Sequence, residues 1–151
     1  MLELCYPFDS EYILKKKKSI KKALLADQSI RRISKKIAIL GGSTTHDIKD
    51  ILELFLLNNG IQAEWYESEY AQYWQDAMFD NPELVAFAPD IIFIHTSNRN
   101  ITQYPTVKDS PETIHAYLEQ IYTHFTTLWA KIEETYHCPI VQNNFEPPFY
   151  R

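Results

Sequence analysis

The sequence predicts an α/β protein built on a parallel sheet of about four strands, preceded by an N-terminal helical arm. Three observations carry this expectation. The runs Ile37 to Leu40 and Ile91 to Ile94 are short and continuously apolar, the pattern of strands buried on both faces. Between them lies a segment whose apolar residues recur at three- and four-residue spacing, so strand and helix alternate as in a βαβ unit. Each apolar run also empties into a polar cluster, as the carboxyl edge of a parallel sheet does where ligands bind.

A chain of 151 residues with 45% apolar content suits one globular domain with its own core. It contains no run of about 18 apolar residues, and Asp9 and Glu11 stand where a signal peptide needs its apolar centre. We therefore expect a cytoplasmic protein with no membrane association. Cys5 and Cys138 show no zinc or redox spacing and are expected to be reduced, packed thiols. The net charge of −5 hides a division: residues 1–36 hold ten Lys/Arg against four Asp/Glu, and the remainder five against sixteen. Because the basic run Lys15 to Lys18 faces an acidic body, a solvated face or an intramolecular docking surface is expected rather than a nucleic-acid patch.

In order, residues 1–35 read as the basic helical arm. Asp9 or Ser10 can cap a helix whose partial apolar stripe is Ile13, Leu14, Ile20, Ala23 and Leu24, and Asp27 is expected to cap a second short helix carrying Ile30 and Ile33. Residues 36–151 read as the α/β domain. Its first strand, Ile37 to Leu40, leads through Gly41 and Gly42 into a helix faced by Ile48, Ile51, Leu52, Phe55 and Leu56. Thr44 or Thr45 is the expected cap of that helix, and Gly60 its left-handed terminator. Ala63 to Tyr66 is the second strand. The aromatic-rich segment Glu67 to Phe79 is a crossing that forms core or interface, with a ligand-stacking cage as the alternative. Asn81 and Pro82 start a short helical turn that Pro89 ends, and Ile91 to Ile94 is the third strand. Ser110 and Pro111 open a long helix faced by Ile114, Leu118, Ile121, Phe125, Leu128, Trp129 and Ile132. Pro139 to Val141 is the fourth strand. Phe145 to Arg151 follows it without a helical pattern, leaving an apolar edge, so we expect either the front portion of a longer protein or a chain that pairs with another subunit.

Three polar clusters should converge at the strand ends: Gly42, Ser43, Thr44, Thr45 and His46 after the first, His95 to Asn100 after the third, and Gln142, Asn143 and Asn144 after the fourth. In an acyl-transfer reading Ser43 is the nucleophile and Asn98 or Asn100 donates to the oxyanion. Backbone N–H groups at Gly42, Thr44 and Thr45 hold the anion, and a histidine acts as base. The alternative is that Ser43, Thr44 and Thr45 only cap and that Asn98 and Asn100 only shape a turn. His46 is expected to point along the helix and His95 to be a hydrogen-bonded residue at a strand end. Asn143 and Asn144 are possible site-lining residues. The Gly-Gly-Ser-Thr-Thr turn lacks the Lys-Ser/Thr of a P-loop and the third glycine of a dinucleotide fingerprint. No metal is expected, because His115, His124 and His137 have no carboxylate or cysteine at ligand spacing.

The blocks YPFDSEYILKKKK, KIAILGGSTTHDIKDILELFLLNNGI, WYESEY, FAPDIIFIHTSNRNI and CPIVQNNFEPPFYR resemble, over nearly the whole chain, the N-terminal region of FkbH-like proteins of the haloacid-dehalogenase superfamily. The resemblance implies an SGNH-hydrolase-like, flavodoxin-type, three-layer α/β domain. In complete members a haloacid-dehalogenase domain with an aspartate nucleophile and magnesium follows. It further implies a place in polyketide-type biosynthesis, loading a glyceryl or acyl unit onto an acyl carrier protein, with that carrier or the downstream domain as partner. This chain has no Asp-x-Asp-x-Thr segment, so magnesium chemistry is expected only outside it. Against the SGNH pattern, Ser43 carries over, Asn98 or Asn100 can match the third-block asparagine, no glycine follows Gly60, and the Asp-x-x-His block is either absent or expected beyond Arg151. The expected function is therefore the N-terminal domain of such a protein, with a small serine esterase using Ser43 or a non-catalytic interaction module as alternatives.

Overall fold

The apolar runs at 37–40 and 91–94 become the two central strands of one sheet. The computed structural model describes residues 2–79 and 81–146. In chain order they form α1 (Ser10–Ala26), β1 (Ile33–Gly41), α2 (His46–Asn58), β2 (Ile61–Glu67), α3 (Tyr73–Met78), α4 (Pro82–Phe87), β3 (Ile91–His95), α5 (Pro111–Tyr136) and β4 (Ile140–Gln142). The sheet order is β2-β1-β3-β4 and every pairing is parallel. These are the first four positions of the flavodoxin-type order, and strand direction of travel reverses between β1 and β3. The expected three-layer parallel α/β architecture is the observed one. The stretch Phe145 to Arg151, expected to lack a helix, lies outside the described residues from Pro147 onward.

Strand alternation divides the core. Ala38 and Leu40 of β1, with Ile92 and Ile94 of β3, pack against α3, α4 and α5 through Ala77, Leu84, Leu128 and Ile132. Ile37 and Ile39, buried on the opposite face, lie where a right-handed β1-α2-β2 crossover places α2. α1 then packs on α2: Ile13, Ile20 and Leu24 form a second cluster with Leu54 and Leu57. This corrects the expected α2 stripe. Leu54 and Leu57, absent from it, are the helix's deepest side chains at 1% exposure each. Period counting found one apolar face, whereas α2 is covered on two sides.

Caps follow the sequence at three helices. Asp9 accepts from the Tyr12 N–H, Asn81 from Glu83 and Leu84, and Ser110 from Thr113, each satisfying otherwise unpaired first-turn donors. Gly60 adopts φ +79° at the turn into β2. The expected second helix at Asp27 does not form. Asp27 instead closes α1, its N–H bonding the Ala23 and Leu24 carbonyls, and Ile33 enters β1 opposite Ile61. Strand pairing there satisfies more backbone groups than an isolated turn can, and Arg32 pins the junction by donating to the Leu24 and Leu57 carbonyls.

Of the basic run, Lys17 is half-buried and bridges Asp47 and Asp50 at 2.9 and 2.8 Å, while Lys15, Lys16 and Lys18 are exposed. Lys21 meets Glu53 at 2.6 Å. None of the described helices is long and apolar enough to cross a membrane.

Candidate functional site

The turn after β1 is built by close approach. The Gly41 N–H donates to Ser68 Oγ, and the Gly42 N–H donates to the His95 carbonyl at 2.8 Å, stitching the ends of the two central strands. A Cβ on Gly41 would stand 2.7 Å from Thr45 Cγ2, and one on Gly42 would stand 2.5 Å from the Asn100 amide. At Gly41 the Ser43 carbonyl would also lie 2.8 Å away, so a side chain there would have to move backbone, whereas at Gly42 it would have to push the Asn100 amide aside. Asn100 donates from Nδ2 to the Gly42 carbonyl and accepts the Ser97 N–H on Oδ1, locking the β3 exit loop against the turn.

This convergence brings together two side chains 52 residues apart: Ser43 Oγ lies 3.4 Å from His95 Nδ1. That is longer than the roughly 2.6–3.2 Å of a primed nucleophile and base, and such pairs commonly tighten when substrate binds. His95 is half-buried at the strand end, its ring edge-on to Phe93. Burial pulls the His95 pKa below the usual histidine value, and the nearby Glu146 carboxylate pulls the other way. At neutral pH the ring is uncharged and able to accept a proton, while Glu146 favours the imidazolium that would result. Glu146 also accepts the Asn98 N–H at 3.4 Å. Nothing in its sequence spacing marks it. It reaches the site because β4 returns the chain beside β3.

Thr45 occupies the N-cap position of α2 but makes no capping bond. Its hydroxyl donates to Glu67 at 2.7 Å instead. The first-turn N–H groups of α2 are thus left without a side-chain cap beside Ser43, at the positive end of the helix dipole. Glu67 also pairs with Lys49. Although burial pushes its carboxyl up, bonds from Lys49 and Thr45 outweigh this and hold it below its usual range. His46 is exposed and faces Asp50 and Glu67 at 3.9 and 3.8 Å.

Asn143 is a clamp on the β3 exit, accepting the Thr96 N–H at 3.0 Å and donating to the Thr96 carbonyl at 2.7 Å. Asn144, exposed, accepts from Asn143 through its carbonyl, and Thr44 is exposed beside Ser43. Asn98 sits on the short 3₁₀ turn Asn98–Asn100, its carbonyl accepting from the Tyr104 hydroxyl. The structure therefore gathers Ser43, Gly42, His95 and Asn100 at one point, with Asn143 supporting the loop. Among the described residues no group of three or more His, Cys, Asp or Glu is arranged to hold a metal ion.

No protein-family model matches the sequence, and no curated protein sequence matches it. The fold is similar to the crystal structure of the N-terminal part of the protein BF1531 from Bacteroides fragilis, described as containing a phosphatase domain complexed with Mg. The TM-score is 0.66 at 20% identity, over 88% of this chain and 34% of that one. The present chain thus spans about a third of the length of that neighbour.

Proposed function

We propose that this chain is the SGNH-like N-terminal domain of a FkbH-like protein of the haloacid-dehalogenase superfamily, and that it handles an acyl group at Ser43. The observation that carries the reading is the Ser43–His95 contact at the carboxyl edge of the two central strands. Supporting it are the block-wise sequence resemblance and the neighbour's description as the N-terminal part of a phosphatase-domain protein. In this reading magnesium-dependent phosphoryl chemistry belongs to a companion domain, since this sequence carries no Asp-x-Asp-x-Thr segment.

In the proposed step Ser43 Oγ attacks the carbonyl carbon of an ester or thioester while His95 Nδ1 takes the hydroxyl proton. Backbone N–H groups at the uncapped α2 N-terminus hold the developing oxyanion. Collapse of the tetrahedral intermediate breaks the bond to the alkoxide or thiolate leaving group, which departs with the proton from His95. The acyl-Ser43 ester is then resolved by water or by the thiol of an acyl carrier protein.

A fluorophosphonate probe and short-chain p-nitrophenyl esters test this on the wild-type protein, Ser43→Ala and His95→Asn. Labelling is expected at Ser43, absent in Ser43→Ala and slowed about 10²-fold or more in His95→Asn. Wild-type protein that is neither labelled nor active, or labelling that survives Ser43→Ala, refutes the catalytic reading. The family reading is tested separately: the encoding gene or its immediate neighbour should contain an Asp-x-Asp-x-Thr haloacid-dehalogenase segment.

A further inference from the structure

His124 is a half-buried titratable side chain that the Ser43 reading leaves without a role. Its ring stacks on Trp74 at 4.1 Å with 16° between planes, and its Nε2 lies 3.0 Å from the Tyr73 hydroxyl. Both partners belong to the first turn of α3, so one imidazole joins α5 to α3 there. Phe125 closes the cluster edge-on at 5.0 Å.

Little else holds the start of α3. The helix has six residues, well under the roughly 12–15 that a helix needs to persist alone, and its N-cap Gln72 makes no side-chain capping bond. Ala71, just before it, adopts φ 59°, a left-handed conformation that a residue with a Cβ holds only at a cost. The far end is fastened differently. Asp76 accepts from Asn81 Nδ2 at 2.8 Å and from the Tyr66 hydroxyl at 3.2 Å, and Ala77 is buried in the core.

The groups around the ring decide what a proton does there. On α3, burial keeps the Tyr73 hydroxyl protonated, and the Asp76 carboxylate is committed to Asn81 and Tyr66. The wall formed by residues 100–103, Gln120 and Ile121 carries no titratable group. Along α5, Glu119 faces His115, and Lys131 lies about two turns beyond His124. A neutral ring accepts the Tyr73 hydroxyl on Nε2, whereas an imidazolium has two donors and no acceptor. The Trp74 face attracts a cation, yet burial without a counter-ion outweighs this and lowers the His124 pKa. A ring in water carries no such penalty, so acid favours any state that exposes it.

We propose that Tyr73, Trp74 and His124 form an acid-sensitive latch: protonating the imidazole favours a state in which the first turn of α3 swings off α5 about Asp76 while the sheet stays folded. The latch is separate from any chemistry at Ser43.

Amide exchange on the full chain, followed by NMR and expressed as protection factors, tests this at the Asp76 N–H, which bonds the Gln72 carbonyl at 2.9 Å across that turn. Ile39, fully buried on β1 between β2 and β3, is the reference. Asp76 should be at least about ten-fold less protected than Ile39 at both pH 7.5 and pH 5.0, the mark of local opening. Its protection should fall about five- to thirty-fold between the two, the upper bound being one histidine that titrates near 6.5 once exposed. His124→Gln, which keeps an acceptor for Tyr73 and cannot become charged, should abolish the fall, and His95→Asn should retain it. Equal protection at Asp76 and Ile39, no fall in acid, or a fall that survives His124→Gln or vanishes in His95→Asn would each overturn the proposal. A wild-type His124 whose ring protons titrate at or above about pH 6.5 would overturn it without any variant.

Discussion

Ser43 meets His95 because two glycines let the β1 turn touch the β3 exit, and substitution there should act on the site before it acts on the core. A methyl group at Gly42 would stand 2.5 Å from the Asn100 amide, forcing the amide off the Gly42 carbonyl and its loop off the turn. Gly42→Ala should therefore cost about 1–3 kcal/mol by urea denaturation, the usual cost of forced overpacking, and should reduce probe labelling at Ser43. Asn100→Ala removes the clash and should relieve part of the stability loss in the double variant. The Ser43 reading also makes a kinetic prediction. Because burial holds His95 below the usual histidine value, the acid limb of Ser43 labelling should inflect below about pH 6.5. An inflection above that value would assign the base elsewhere. At this scale the sequence exposed Ser43 through its position after a strand and glycine turn. It did not expose His95 as its partner or Glu146 at all, because both reach the site through strand order.

The helices divide into those stabilised by their own ends and those stabilised by what covers them. α5 was legible from Ser110-Pro111 and its apolar period, and the stripe held except where Leu118 and Trp129 turn partly to solvent. α2 was legible as a helix but not as a helix covered on two sides, because its second cover, α1, comes from a segment whose charge dominates its composition. The α1–α2 contact combines ion pairs at Lys17 and Lys21 with apolar packing at Ile20 and Leu24, and the packing should dominate. Leu24 is 1% exposed, so Leu24→Ala should cost about 2–5 kcal/mol in thermal or urea unfolding. Lys17→Ala with Lys21→Ala should shift the urea midpoint only slightly. Most of that shift should vanish in 0.5 M salt, since partly exposed pairs are screened. A larger effect from the lysines than from Leu24 would mean that charge, not burial, seats the arm.

Across the whole molecule, protonation links the site to stability. His95 and His124 are both pulled below the ordinary histidine value by burial, so the unfolded chain binds protons that the folded chain refuses. Their contribution is fully present above about pH 6.5 and is lost as pH falls through the window between the unfolded and folded values. Asp50 and Glu67 act lower. Lys17 holds Asp50 below the ordinary carboxylate range, and Lys49 and Thr45 hold Glu67 there against its burial. Their contribution is present above about pH 4 and is lost as pH falls through their folded values. Urea midpoints measured from pH 8 to pH 3 should therefore fall in two stages, and His95→Asn with His124→Gln should flatten the upper one. A single-stage decline in the wild type would contradict these assignments.

What the sequence determined by itself is local: continuous apolar runs as central strands, apolar periods and caps as helices, Gly60 as a turn, and a glycine turn placing Ser43 at the edge of a sheet. Those features depend on residues within a turn or two of one another, where propensity, capping and burial period decide the outcome. Only the tertiary structure decided the rest: the order β2-β1-β3-β4, the second covering of α2, the Ser43–His95 contact, Glu146 beside it and the Trp74–His124 stack. Each depends on which distant segments become neighbours. That choice is made by collective burial and strand pairing across the chain, which no short window of residues contains.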